Sequence, residues 1–501
     1  MSKGARKSLL RHGVVLMLCS FVAKAIGAAY RLPLTNLLGA EGIGDYQLVF
    51  PVYALVLALT SSAMPVLLAR EIAKDATFGY AVFRRSLVLM ALLGGGGALA
   101  LAALAYPLAL AQGYATLYTG YLIIAPAVPA VALAAAFRGW FSANMHVGVL
   151  SGASLVEQVV KLSGLGLAAW MAPRGILFAV LGALAGVTLA ELASLAWCAV
   201  AYFALGYRLG APSLTVPLRP IWQSSVPITT SNLVMPVVSG IDSLLLVNLA
   251  VWTGAGRAEA VAQYGLLTGA VGTVTALPVV LTLAFVTLVV PVVSRAVAAR
   301  DVGIVRRSSL ETVEMVLALS LPCGVGLALL APDVVGLLYP RLDVAEQAYA
   351  ATLLRVAAAG VPVIALQQVF NALLQAVERS VTGAKQMAIG GAVKVVGNLV
   401  LVPLLGMLGA AVASLLCYVT VLVLHVVVYT RLTGRYGLGK ALAACTFSAA
   451  CMGVVLWALG RLSGDNRLWV VLNILLGALV YAILLWCAYG AAWWRKRRVR
   501  A

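Results

Sequence analysis

Residues 175–205 read GILFAVLGALAGVTLAELASLAWCAVAYFAL, a run in which Glu191 is the single ionisable side chain. As a helix this run reaches about 46 Å at 1.5 Å per residue, longer than the roughly 30 Å hydrocarbon core of a bilayer. A surface helix of a soluble protein keeps a polar face, and this one has none. The run is a transmembrane helix, and its kind recurs along the chain. Apolar runs between polar breaks predict spans near 10–34, 46–69, 82–111, 117–137, 149–171, 175–205 and 221–252. A second set falls near 264–293, 310–331, 348–376, 385–403, 407–430, 438–460 and 467–494. The sequence therefore predicts an all-α integral membrane protein of about fourteen transmembrane helices, with almost no soluble domain.

Composition agrees. The chain is 63% hydrophobic and 10% charged, where a soluble domain carries about 25% charged residues. Its net charge of +19 does not point to nucleic acid, because the basic residues form short clusters between apolar runs instead of one patch. All seven cysteines lie in or at the ends of apolar runs, and none forms a C-x-x-C pair. That pattern speaks against a disulfide framework or a zinc site. The opening Met1-Ser2-Lys3-Gly4-Ala5-Arg6-Lys7 has the charge of a signal-peptide start. The apolar run behind it is too long for one, so it is read as a retained first helix.

The basic residues set a topology. With the N-terminus inside, cytoplasmic segments hold 25 lysines and arginines, from Lys3 through Arg70, Arg138, Arg208, Arg300 and Arg379 to Arg500. External segments hold 6: Arg31, Arg174, Arg257, Arg341, Arg461 and Arg467. The alternation is strict and predicts both termini in the cytoplasm. Trp493-Trp494 followed by Arg495-Lys496-Arg497-Arg498 reads as an interfacial anchor.

The halves echo each other. Ala73-Lys74-Asp75 and Arg84-Arg85-Ser86 recur as Ala299-Arg300-Asp301 and Arg306-Arg307-Ser308. Phe137, Ala143 and Lys161 match Phe370, Ala376 and Lys394 at an offset of 233, and Gly175-Ile176-Leu177 matches Gly406-Met407-Leu408. A unit of six helices, being even, keeps one orientation in both copies. The expected organisation is an N-lobe at 1–210, a C-lobe at 211–436, and an appended helix pair with a basic tail at 437–501. Transporters built from repeats bind substrate between their halves and alternate access.

Ionisable residues inside the spans are few: Lys24, Glu157, Lys161, Glu191, Asp242, Arg355, Lys394 and His425. Charges at that depth are costly, and they face a cavity or a partner. Glu157 and Lys161, four apart, share a helix face and can pair. Two readings stand: a cationic, water-filled cavity for an anionic substrate such as a pyrophosphate, or internal ion pairs that fix helix register. Lys24 and Arg31 have no local acid. Asp45 falls in the loop after the first span. Gly94-Gly95-Gly96-Gly97 falls in the third helix and has two readings, a hinge that interrupts it or, the favoured one, close packing of helices, and Pro126 and Pro129 are expected to lie within the fourth. No P-loop, H-E-x-x-H or G-x-S-x-G is present, and external loops are short. No catalytic residue, cofactor or metal site is assigned, and the chain is not expected to be an enzyme.

The stretch from Lys24-Ala-Ile-Gly27 through Tyr30-Arg31-Leu-Pro33 and Asn36-Leu-Leu-Gly39 to Gly44-Asp45-Tyr46-Gln47 resembles the opening of the stage V sporulation protein B-like polysaccharide transporters. Pro51, Met64-Pro65 and Phe137-Arg138-Gly139-Trp140-Phe141 add to the likeness. These belong to the multidrug/oligosaccharidyl-lipid/polysaccharide (MOP) flippase superfamily, which includes the lipid II flippases. The resemblance runs over essentially the whole chain. It implies a monomeric plasma-membrane flippase that moves undecaprenyl-pyrophosphate-linked sugars, lipid II or a related precursor, for cell-envelope or spore-cortex synthesis. The implied partners are the polyprenyl-pyrophosphate-linked glycan, membrane lipid, and a coupling ion, Na+ or H+. The substrate-binding candidates are Lys24, Arg31, Lys161, Arg355 and Lys394, and the coupling or gating candidates are Asp45, Glu157, Glu191 and Asp242. Two rival readings remain. A cation-coupled drug antiporter of the same superfamily would need a carboxylate-dominated cavity. A non-transport component of envelope polysaccharide assembly would need a large external loop.

Overall fold

The computed structural model describes residues 3–74, 76–209, 218–434, 439–460 and 467–498, and the regular structure among them is entirely helical. Thirteen helical stretches of these residues are long and apolar enough to cross a membrane. The first, Ala25–Ile72, has 48 residues, is kinked at Gly39 and turns at 61–63, and covers ground where two spans are expected. Large apolar side chains stand on the outside, among them Leu99 at 74% and Trp486 at 70% exposure. Such a surface suits hydrocarbon and not water. This is a multi-pass membrane protein.

Two compact units make up the chain, Met1–Gly265 and Leu266–Ala501. The first holds α1 (Lys3–Thr60), α2 (Met64–Lys74), α3 (Ala76–Ala111), α4 (Tyr118–Ile124), α5 (Ala127–Ala143), α6 (Val147–Met171), α7 (Ile176–Ala204), α8 (Leu218–Trp252) and α9 (Arg257–Gly265). In place of the loop expected at 35–45, two helical segments meet at a kink at Gly39, so a break does fall between the two expected spans, at one residue instead of eleven. Thr35 and Asn36, the polar residues that suggest a break, turn back on their own helix. They donate to the carbonyls of Arg31 and Leu32 at 2.9 and 3.1 Å, so neither needs water. The one non-helical residue is Gly39, at φ 69 and ψ −173, a conformation open to glycine and strained for other residues.

α1 ends where the Thr60, Ser61 and Ser62 hydroxyls take the carbonyls of Val56, Leu57 and Ala58 at 2.9, 2.9 and 2.7 Å. The four glycines at 94–97 do not interrupt α3, which runs through them unbroken. Two of them serve packing: a Cβ on Gly94 would stand 2.7 Å from the Pro129 backbone, and one on Gly97 2.9 Å from Thr60. The prolines of the next segment do break it, with Pro126 between α4 and α5. Inside the unit, Phe83, Phe137, Trp140 and Tyr202 form an aromatic core. α6 and α7 pack backbone to backbone, since a Cβ on Gly186 would overlap Gly164.

The second unit opens with a π-helical turn at Leu266–Val271. It continues through α10 (Gly272–Ala298), α11 (Val302–Leu329), α12 (Ala331–Leu338), α13 (Val344–Ala376), α14 (Ser380–Leu405), α15 (Met407–Thr433), α16 (Gly439–Gly460) and α17 (Arg467–Arg498). Acidic caps start two of these helices. The Asp301 carboxylate accepts from the Ile304 amide at 2.9 Å, and Asp343 forms a capping box with Glu346, which occupies donors that a helix start leaves unpaired.

Local features recur in the two units. Met145 and Glu378, 233 residues apart, both hold left-handed backbone, φ 58 and 60. Gly175 and Gly406 both turn at positive φ. The Phe137–Tyr202 pair, at 5.6 Å and 68°, has a counterpart in Phe370–Tyr429 at 5.8 Å and 70°.

Candidate functional site

In the first unit, α1 lies close against α6: a Cβ on Gly27 would come within 2.7 Å of the Gln158 side-chain oxygen. This approach brings Lys161 of α6 over the aromatic residues of α1. Its ammonium stands 5.5 Å from the centre of the Tyr30 ring and 5.8 Å from that of Phe50. A cation held over ring faces is attracted by their quadrupoles. Phe50 is braced by Tyr46 and Tyr53, at centroid distances of 4.6 and 6.1 Å. Arg31, Glu157 and Glu191 lie within Coulombic range of Lys161. All four charged side chains are half-buried.

The expected Glu157–Lys161 pair does not form. Glu157 bonds instead to Arg138 of α5, Nη2 to Oε2 at 2.7 Å, and the same nitrogen donates to Ser194 of α7 at 2.8 Å. The other Glu157 oxygen accepts from Gln158 at 3.1 Å. Among the described residues, no carboxylate stands within ion-pair distance of Lys161 or Arg31. The reason is reach: Arg138 approaches from a neighbouring helix with a planar donor fork, which a flexible ammonium on the same helix does not match.

Arg138 is the residue that the sequence reading misplaced. Ending the fourth span at 137 left it in a cytoplasmic segment, whereas α5 continues to Ala143 and carries Arg138 inside the helix. The signal was present in Phe137, Trp140 and Phe141, which extend the apolar run beyond the arginine.

A second polar cluster joins α1 to α8 and α9. Gln112, fully buried, donates to the Leu48 carbonyl at 3.0 Å and accepts from Tyr121 at 2.7 Å. Arg257 of α9 donates to Asn248 of α8 at 3.1 Å, and Asn248 donates to the Ala111 carbonyl at 2.6 Å. Tyr114 donates to Glu41 at 3.3 Å. Its hydroxyl is pushed above the usual tyrosine range by burial first, then by Asp45 and Glu41, with Arg257 opposing. Asp45 is no solvated loop residue: it is 3% exposed, and its Oδ1 has no hydrogen-bond partner among the described residues.

The remaining candidates lie as follows. The Lys24 side chain lies outside the described residues, as do those of the basic tail from Trp493 onward. Asp242, on α8, is 6% exposed and engaged by a neighbour. In the second unit Arg355 is exposed on α13, and Lys394 is half-buried on α14 and engaged. His425 is fully buried on α15 with neither ring nitrogen hydrogen-bonded. Among the described residues, no three His, Cys, Asp or Glu side chains gather as a metal site.

Solved structures share the fold. The chain matches the lipid II flippase MurJ in its inward closed conformation with a TM-score of 0.75, at 14% identity, over 96% of this chain and 99% of that one. It matches an inward-facing multidrug resistance MATE family transporter of the MOP superfamily with a TM-score of 0.67, at 16% identity, over 82% and 94%. The fold is that of these MOP superfamily membrane proteins. The polysaccharide biosynthesis protein family model matches residues 9–297, and the chain belongs to that family. It is similar to stage V sporulation protein B of Bacillus subtilis (strain 168), 25% identical over 84% of this chain and 83% of that protein. It is also similar to the lipid II flippase MurJ of the same organism, 23% identical over 97% and 96%.

Proposed function

We propose that this protein is a flippase that carries polyprenyl-pyrophosphate-linked sugars, lipid II or a related polysaccharide precursor, from the inner to the outer leaflet. The family and its flippase relative support the transport class. The observation that carries the choice of an anionic cargo is the half-buried Lys161, with no carboxylate at ion-pair distance among the described residues and with Arg31 in Coulombic range. Two such cations suit a pyrophosphate, whose oxygens accept charge-assisted hydrogen bonds. The polyprenyl chain stays in lipid while the headgroup crosses. Lys24, Arg355 and Lys394 are further proposed cationic contacts, and Asp45, Glu157, Glu191 and Asp242 the proposed coupling or gating groups for Na+ or H+. Transport requires the cargo to prefer one conformation over another, since a ligand shifts an equilibrium only by its differential affinity.

The test is headgroup flipping in proteoliposomes, comparing lipid II with other polyprenyl-linked glycans. Lys161→Ala and Arg31→Ala should each slow flipping about tenfold or more, the cost of one lost hydrogen bond to a charged group, with the protein still folded and inserted. Full rates in both variants would end the cationic-site reading. Export of organic cations with no glycan flipping would favour a drug antiporter instead.

A further inference from the structure

The arrangement around Glu157 runs against the default of its own helix. A glutamate four residues before a lysine is the favourable order for an ion pair, and Glu157 and Lys161 stand in that order on α6. Yet both Glu157 oxygens are taken elsewhere, Oε2 by Arg138 at 2.7 Å and Oε1 by Gln158 at 3.1 Å. Arg138 is held in turn by Ser194 at 2.8 Å, so the clamp ties α5, α6 and α7 together. Lys161 is left over the Tyr30 and Phe50 rings. Rings attract a cation without supplying an opposite charge, so the ammonium is left without a carboxylate partner.

We infer that Arg138 is a positioning residue for cargo binding: by occupying Glu157, it keeps that carboxylate from capturing Lys161. This rests on the reading of Lys161 as a cargo contact. Arg138 itself touches no cargo, and its action passes entirely through Glu157. Removing Arg138 returns Glu157 to its helical neighbour and cancels the charge meant for a pyrophosphate. Removing both restores the lysine. Glu191 of α7 is the other carboxylate within Coulombic range of Arg138 and Lys161, and the assignment to Glu157 excludes it as the capturing acid.

The experiment measures binding of undecaprenyl pyrophosphate to the full chain in nanodiscs, with inorganic pyrophosphate as competitor. Lys161→Ala and Arg138→Gln should each weaken binding about tenfold, one charge-assisted contact. Arg138→Gln/Glu157→Gln should recover to within about threefold of the unaltered protein, while Arg138→Gln/Glu191→Gln stays weak. A purely structural arginine would not be rescued by removing a second charge. Undiminished binding in Arg138→Gln, failed rescue by Glu157→Gln, or rescue by Glu191→Gln would each overturn the inference. Undiminished binding in Lys161→Ala would overturn the cargo reading beneath it. If Arg138→Gln does not fold, Ser194→Ala weakens the same clamp with both charges in place. It should lower affinity in a way that Glu157→Gln reverses, and unchanged affinity there overturns the inference.

Discussion

Asp45 has a carboxylate oxygen with no hydrogen-bond partner among the described residues, in a position that is 3% exposed. Burying an unpaired polar group is costly, and burying a carboxylate charge costs more than burying a neutral amide of the same shape. Asp45→Asn is therefore expected to stabilise the protein by about 1 kcal/mol, seen as a higher thermal midpoint in detergent, and to slow transport if the carboxylate couples it. A lower midpoint would reveal a contact that the carboxylate makes and the amide does not. Single residues were the scale least legible in the sequence. Spacing placed Glu157 and Lys161 on one helix face, correctly, and wrongly paired them. The partner that wins, Arg138, comes from another helix, and no i, i+4 rule sees across a helix–helix contact. Asp45 was misread for a related reason: a polar residue between apolar runs looks solvated until other helices close over it.

Helices themselves were legible, because a long apolar run has few alternatives in a membrane. Their ends were less so. Hydroxyls and amides that bond back to preceding carbonyls, as at Thr35 and Asn36, hide a helix behind polar letters. Of the two readings open for the glycines at 94–97, hinge or packing, the structure has the packing: Gly94 lies on Pro129 and Gly97 on Thr60. The α6–α7 contact shows what small residues do in lipid, where close approach replaces the hydrophobic effect as the driving force. A Cβ on Gly186 has no room against the Gly164 backbone. Gly186→Val should cost about 1–3 kcal/mol through overpacking, measured as a lowered thermal midpoint, whereas Gly166→Ala, with nothing within 4 Å, should change it little. Equal effects would mean that the crossing is looser than the backbone contact implies.

Across the whole molecule, the distribution of basic residues predicts a cytoplasmic N-terminus and a cytoplasmic tail. Reporter fusions test this directly: a fluorescent protein at either end should be bright and a periplasm-dependent phosphatase inactive. Activity of the phosphatase at one end alone would change the number of crossings from even to odd. The internal repeat was legible only as scattered letters, since identities between the halves are sparse. Two corners of the main chain are alike in one respect. At the α5–α6 corner Met145 turns left-handed, and at the α13–α14 corner Glu378 does the same. For residues with a β-carbon this twist carries a penalty of about 1–2 kcal/mol each. A thioether and a carboxylate have nothing chemical in common, so what the two corners share is a bend in the main chain, indifferent to the group mounted on it. Glycine at both corners should thus be accepted without loss of architecture, each exchange relieving its own tension independently of the other.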